Sequence, residues 1–300
     1  MEQESTHPIE SSLTDVAVCD TSRVIYRKRD NVAYITLNRP DVLNAMDARM
    51  HVELTKALDA CESDSGVSVA VLTGAGDRAF SVGKDLSELV RDIRAGAEPG
   101  SFGSREEPGW PRLTERFNFS KPIVARVDGY ALGGGFELAL ACDIVLASER
   151  ACFALPEAKL GLIPGAGGLF RLTRQIPFKI AMGYLLTGRT ISASRAYELG
   201  LINEFVPVDN LDACVSSWVA DILSCSPLSL RSLKQVSQAS MHLSIEDAFV
   251  QHYEAEAERR TKMDCREGPL AFVEKRKPIW GLGKEDWRHR GVVEYPKSEG

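Results

Sequence analysis

Two glutamates in apolar, glycine-rich surroundings are the residues of this chain best placed by type and spacing to do chemistry. Glu137 follows Gly133-Gly134-Gly135-Phe136 and precedes Leu138-Ala139-Leu140-Ala141-Cys142. Such neighbours predict burial, and buried carboxylates are rarely left without partners. Glu157 comes 20 residues later, in Leu155-Pro156-Glu157-Ala158-Lys159, at the entrance to a second glycine-rich stretch ending in Gly167-Gly168. Two carboxyls in dry surroundings can hold different proton states, as a general acid and a general base require. A place in the first turn of a helix also gives Glu137 a purely structural reading, because the helix dipole favours negative charge there. The residues alone leave both readings open.

The glycines bear on the same chemistry. Gly133-Gly134-Gly135 stands just before an apolar helix, whose first turn presents unpaired N–H groups, and glycine lets a ligand approach the backbone closely. That suits a developing oxyanion; a tight strand-to-helix turn is the alternative. The run fits neither the dinucleotide G-x-G-x-x-G spacing nor the Gly-Lys-Ser/Thr of a phosphate-binding loop. A further glycine-bearing segment, Ala79-Phe80-Ser81-Val82-Gly83-Lys84-Asp85-Leu86, follows an apolar run. The five histidines (His7, His51, His242, His252, His289) stand away from all of these and read as surface or packing residues.

The elements that must hold these residues can be sketched from periodicity. Strands are expected at Val32–Leu37, Val67–Thr73, Ile123–Val127, Asp143–Ala147 and Cys152–Ala154, with a helix from Met46 to Ala60. Val67–Thr73 is nearly continuous in apolar residues and should be buried on both faces. The stretch 91–116 is rich in breakers and charge, which predicts a long loop, either a lid or disordered, with Trp110 as a pocket-lining or a packing residue. Beyond Val208 the strands cease, and helices are expected at Leu211–Ser224, Leu228–Met241 and Ile245–Lys262. The reading is an α/β (or α+β) fold of recurring strand-strand-helix units. It divides into a polar tail over 1–22, a core over 23–210 and a helical region over 211–300.

Composition narrows the function. With 36 basic and 42 acidic residues the net charge is -6, which gives no electrostatic reason to expect a nucleic-acid partner. Seven scattered cysteines without a C-x-x-C pair suggest neither disulfides nor a zinc site, and point to a reducing, cytoplasmic setting. Met1 to Asp20 carries five acids and no Lys or Arg, unlike a secretory or mitochondrial leader, and the chain does not end on a peroxisomal address. No run of 18 apolar residues is present, so no membrane span is expected.

Taken together, these segments resemble the enoyl-CoA hydratase/isomerase (crotonase) family from about Val24 to Trp280. The likeness runs through Leu37-Asn38-Arg39-Pro40 with Leu43-Asn44-Ala45, Phe80 to Leu86, Lys121 to Ala125, Gly129 to Asp143, Pro156 to Gly168, Leu186-Thr187-Gly188 and Phe272 to Arg276. The resemblance implies a spiral of strand-strand-helix turns whose C-terminal helices drive trimerisation, often as a dimer of trimers. It implies an oxyanion hole from the backbone N–H groups of Lys84 and Gly134. Val42, Lys84, Asp85, Leu86 and Ser87 correspond to coenzyme-A-contacting positions, and Lys275 to a phosphate contact supplied in some members by a neighbouring subunit.

By the same resemblance, Glu137 activates water for attack at C3 of a 2-enoyl-CoA and Glu157 protonates C2, with no metal or redox cofactor. Isomerisation of a 3-enoyl-CoA is the nearest rival, and a non-catalytic RNA-binding member a remote one. Lys84 stands where the family often has Ala; only its amide is needed, and its side chain could reach a CoA phosphate or solvent. Phe136, Cys152 to Gly161 and Glu267 to Phe272 are similar to carnitinyl-CoA dehydratases, which act on crotonobetainyl-CoA, although no aromatic cage for a quaternary ammonium can be placed.

Overall fold

The computed structural model describes residues 22–97 and 113–281. The expected tail and most of the expected lid, with Trp110, lie outside the described residues. The chain opens with strands β1 (Val24–Arg29) and β2 (Val32–Leu37) and helix α1 (Ala48–Ser63). Three turns of one pattern follow, each made of two strands and then helix: β3 (Val69–Gly74), β4 (Ala79–Ser81) and α2 (Leu86–Arg94); β5 (Ile123–Val127), β6 (Tyr130–Leu132) and α3 (Gly134–Ala141); β7 (Ile144–Ser148), β8 (Cys152–Ala154), α4 (Gly168–Gln175) and α5 (Phe178–Thr187). After β9 (Ile191–Ser192), α6 (Ala193–Glu198) and β10 (Glu204–Val206) come helices α7 (Leu211–Ser224), α8 (Pro227–Ser240), α9 (Ile245–Val250), α10 (Glu254–Thr261) and α11 (Asp264–Val273).

Each turn gives its first strand to one sheet and its second to another. The larger sheet runs β1-β2-β3-β5-β7-β10 and the smaller β4-β6-β8-β9. Pairing is parallel except between β1 and β2 and between β8 and β9. The spiral of strand-strand-helix units is therefore present.

The larger sheet is covered on both faces, and the period of two along its strands assigns the covers. Ala33, Ile35, Leu37, Ala70, Leu72, Ile123 and Ala125 share one core with Met50, Leu54 and Leu58 of α1. Their neighbours Val32, Val69, Val71, Val124 and Leu146 pack with Leu211, Val215, Val219 and Ile222 of α7. The spacing of those four residues puts one stripe of α7 against the sheet. This helix thus seals the core as well as opening the C-terminal helical run.

Two local expectations are corrected. The helix expected over Ile245–Lys262 is two helices, because the backbone is extended at Gln251 and Tyr253. Gln235 Oε1 of α8 takes the free Ala255 N–H at the start of α10, at 2.6 Å, so a neighbour supports the restart. The loop expected from Arg91 begins later, since α2 continues to Arg94 with a buried Leu89 and with Asp85 capping its N-terminus.

Candidate active site

The first part of the site is a backbone arrangement around Lys84. A short parallel bridge joins Met46 to Lys84 through Met46 N–H to Gly83 O (2.7 Å) and Asp85 N–H to Met46 O (2.9 Å). That pattern uses the groups on either side of Lys84 and leaves its own N–H out of the bridge. Gly134 is the first residue of α3, so its N–H has no acceptor within the helix. The two segments touch at glycines: a methyl group on Gly83 would lie 2.6 Å from Gly134 N, and Gly83 has φ +85°. No side chain fits that contact, which is why the two amides can adjoin.

Asn44 supports this loop from below, a role that sequence reasoning missed. It is fully buried with φ +56°, a left-handed conformation that asparagine tolerates better than most residues. Its Nδ2 donates to Ala75 O (3.0 Å) and Ala79 O (2.8 Å), and its Oδ1 accepts from Arg39 N (2.9 Å). Ser81 Oγ donates to Asn44 O at 2.8 Å and accepts from Gly83 N at 3.1 Å. Arg39 bonds Ala45 O (2.7 Å) and Asp85 Oδ2 (2.8 Å). Burial opposes ionisation of Asp85, but Arg39 and the amides of Glu88 and Ser87 hold its carboxyl below the usual range.

Glu137 projects from the first turn of α3 and is 3% exposed. Its Oε1 accepts two backbone bonds of 2.8 Å each, from Ala166 N and Gly168 N. Gly168 is the first residue of α4, so the positive end of that helix also faces the carboxylate. The fit is close, since a methyl on Gly168 would sit 2.8 Å from Glu137 Cγ. Beneath the site, Phe136 packs on Phe153 with ring centroids 5.2 Å apart, and both rings are buried.

Glu157 opens a 3-10 turn, Glu157–Leu160, just past β8. Its surroundings are of another kind. Oε2 is buried and has no hydrogen-bond partner. Burial pushes the carboxyl up to about 7; its own backbone N–H opposes this, and the charge of Glu137 adds to the rise. Gly133 is needed at this point: φ is +52°, and a methyl there would lie 3.1 Å from Glu157 Oε1. On the next glycine, Gly134, a methyl would lie 3.8 Å from Glu137 Oε2. The glycine run therefore faces both carboxyls.

Four of the candidate positions are thus drawn together: Lys84, Gly134, Glu137 and Glu157. Val42 joins them through its loop, where Val82 N–H donates to Leu43 O at 3.1 Å. Val42, Leu86, Ser87 and the Lys84 side chain are exposed beside it, as a ligand-contacting rim requires. Lys275 is exposed just beyond α11 with φ +56°, and its amide bonds back to Phe272 O, so this chain's fold does not bring it to the others. Among the described residues no group of three or more His, Cys, Asp or Glu side chains is arranged to hold a metal ion. No single described helix is long and apolar enough to cross a membrane.

Among curated relatives, the carnitinyl-CoA dehydratase of Proteus mirabilis (strain HI4320) is 38% identical over 259 residues, 84% of this chain and 95% of that protein. That of Salmonella arizonae is 37% identical over 255 residues, 82% of this chain and 93% of that protein. Among solved structures, the enoyl-CoA hydratase from Mycobacterium tuberculosis H37Rv superposes with a TM-score of 0.77 at 36% identity, covering 86% of this chain and 98% of that one. The carnitinyl-CoA hydratase from Mycobacterium avium does so at 0.65 and 38%, covering 87% and 98%. The enoyl-CoA hydratase/isomerase family model matches residues 27–283, and the chain belongs to that family.

Proposed function

We propose that this enzyme, a hydro-lyase of CoA thioesters, adds water across the 2,3 double bond of a 2-enoyl-CoA and removes it again in reverse. The observation that carries this reading is the unlike setting of two carboxyls facing one glycine run. Glu137, held by two amides and a helix N-terminus, suits the charged form of a base. Glu157, with a buried unpartnered oxygen and a carboxyl pushed up to about 7, suits an acid that still carries its proton near neutrality.

In the forward direction Glu137 takes a proton from water as the oxygen bonds to C3. The electron pair of the double bond moves toward the thioester, and the oxyanion accepts hydrogen bonds from Lys84 N–H and Gly134 N–H. Glu157 gives its proton to C2, and proton exchange between the carboxyls resets the site. Carbon undergoes no net redox change, so the scheme calls on no cofactor beyond the CoA of the substrate.

In this reading residues 23–210 carry the chemistry. Val42 and Lys84 to Ser87 contact the CoA, and Lys275 reaches its phosphate from a neighbouring subunit of the assembly. Residues 211–300 build a homotrimer or dimer of trimers, in which exposed Phe249, Val250, Phe272 and Val273 become buried. The reducing, cytoplasmic setting is supported by Cys61, Cys142, Cys152, Cys214, Cys225 and Cys265, all free thiols. The similarity to carnitinyl-CoA dehydratases makes crotonobetainyl-CoA the first specific substrate to try.

The test is to mix the protein with crotonyl-CoA and follow loss of the conjugated-thioester absorbance. Its disappearance with formation of 3-hydroxybutyryl-CoA supports hydration. No hydration of crotonyl-CoA or crotonobetainyl-CoA, with conversion of a 3-enoyl-CoA to the 2-enoyl isomer, overturns it.

A further inference from the structure

One half-buried cation beside the acid–base pair has no part in the proton transfers assigned to the two glutamates. Arg171 lies in the first turn of α4, the helix whose N-terminal residue Gly168 donates to Glu137. A cation there is opposed by the helix dipole, so its place needs another cause. Its Nη2 donates to Thr114 O at 2.7 Å, in the 3-10 turn Leu113–Glu115. Its Nη1 lies over Gly167, where an added methyl would collide with it and where φ is +94°. The guanidinium therefore covers the loop Ala166-Gly167-Gly168 that supplies both amides to Glu137, and ties it to Leu113–Glu115.

We propose that Arg171 is a positioning residue for the water-activating carboxylate: it clamps the Ala166–Gly168 loop and places a fixed positive charge behind Glu137. The inference rests on the reading of Glu137 as the base. Burial pushes the Arg171 guanidinium down from its ordinary value, while the charge of Glu137, with Cys142 and Glu115, pushes it back up. The charged groups that act on it are thus Glu137 from α3 and Glu115 from the 3-10 turn, and Glu157 is the other charge acting on Glu137. With an anion on α3 and another beside Thr114, the cation gains at α4 what the dipole alone would deny it.

The experiment compares wild type, Arg171→Met and Arg171→Lys in enoyl-CoA hydration across pH, with the fold of each checked by circular dichroism. Arg171→Met keeps the apolar stem and removes charge and fork. It should lower kcat about 10- to 100-fold through misplacement of the base, with KM changed less than about threefold. The acidic limb of kcat/KM should move up by about one pH unit, because a carboxylate without its nearby cation protonates more readily. Arg171→Lys should return that limb toward wild type while kcat stays below it, since an ammonium restores charge but not the fork.

Folded variants whose acidic limb overlays wild type, or whose loss falls in KM alone, overturn the proposal. If Arg171→Met does not fold, the lysine variant decides: a lowered kcat at unchanged KM supports the clamp, and an unchanged kcat overturns it. Failure of the Glu137 assignment is distinguishable, because Glu137→Gln would then keep turnover, whereas failure of the clamp leaves Glu137→Gln slowed by about 10²-fold or more.

Discussion

Glu137 and Glu157 are the same residue type beside the same glycine run, yet the fold treats them in opposite ways. Around Glu137 it supplies what a carboxylate wants: two amide donors, the N-terminal end of α4 and the Arg171 charge. Around Glu157 it supplies little beyond burial, and the carboxyl answers by holding its proton up to about 7. The difference teaches that, in the proposed scheme, acid and base are set apart by backbone donors and desolvation, not by residue identity. Glycine makes room beside Glu157, since a methyl on Gly133 would lie 3.1 Å from its Oε1.

The most severe way to break the contrast is to remove either proton carrier. Glu137→Gln and Glu157→Gln should each slow hydration by about 10²- to 10⁴-fold at saturating substrate, measured by thioester absorbance. The double variant should lose much less than the product of the two, since the pair acts as a unit.

A gentler perturbation reaches one cradle and spares the other. Gly168→Ala puts a methyl 2.8 Å from Glu137 Cγ and 3.1 Å from its Oε1, so the carboxylate must shift. A roughly 100-fold fall in turnover is expected, with the basic limb of the pH profile in place. A limb that moves would mean the two cradles are not separable.

The contrast also appears in stability. Glu157 is protonated more readily in the folded chain than in the unfolded one, where its ordinary value is 4.5. Folding therefore binds a proton between that pH and about 7, and stability is lost as pH rises through this window. Denaturant titrations at pH 5 and 8 should show that Glu157→Gln recovers on the order of 3 kcal/mol of this loss. An equal pH dependence in both proteins would contradict the desolvated setting.

The smallest effect is expected at Lys84. Lys84→Ala keeps the amide proposed to face the oxyanion and removes only an exposed ammonium. The change should be a rise of a few fold in KM for the CoA substrate, as expected for a surface charge near phosphate. Turnover slowed by about two orders of magnitude would instead assign the side chain a part in chemistry.

Some of this was legible in the residues and some was not. Gly133-Gly134-Gly135 before an apolar run announced a helix start with free amides, and Glu137 among leucines announced burial, because both signals are local. The nearly continuous apolar run Val67–Thr73 reported a strand covered on both sides, though not that α7 forms one of the covers, which depends on a contact far along the chain. The amide donors at Ala166 and Gly168 were hidden, since every residue but proline has an N–H and only folding decides where it points. Arg171 reads in sequence as one more basic residue near a helix start. Asn44 and Ser81 gave no signal beyond their place in a familiar segment. The break between α9 and α10 depends on a cap from Gln235, which no local pattern contains.

The division of labour between the glutamates is tested most directly by the pH dependence of kcat/KM for crotonyl-CoA hydration in wild type, Glu157→Gln and Glu137→Gln. An acid must be protonated to act, so wild-type activity should fall as pH rises through about 7, the value burial gives Glu157. That limb should be absent from the residual activity of Glu157→Gln and present in that of Glu137→Gln. A limb that survives in Glu157→Gln, or vanishes in Glu137→Gln instead, would contradict the assignment of acid and base.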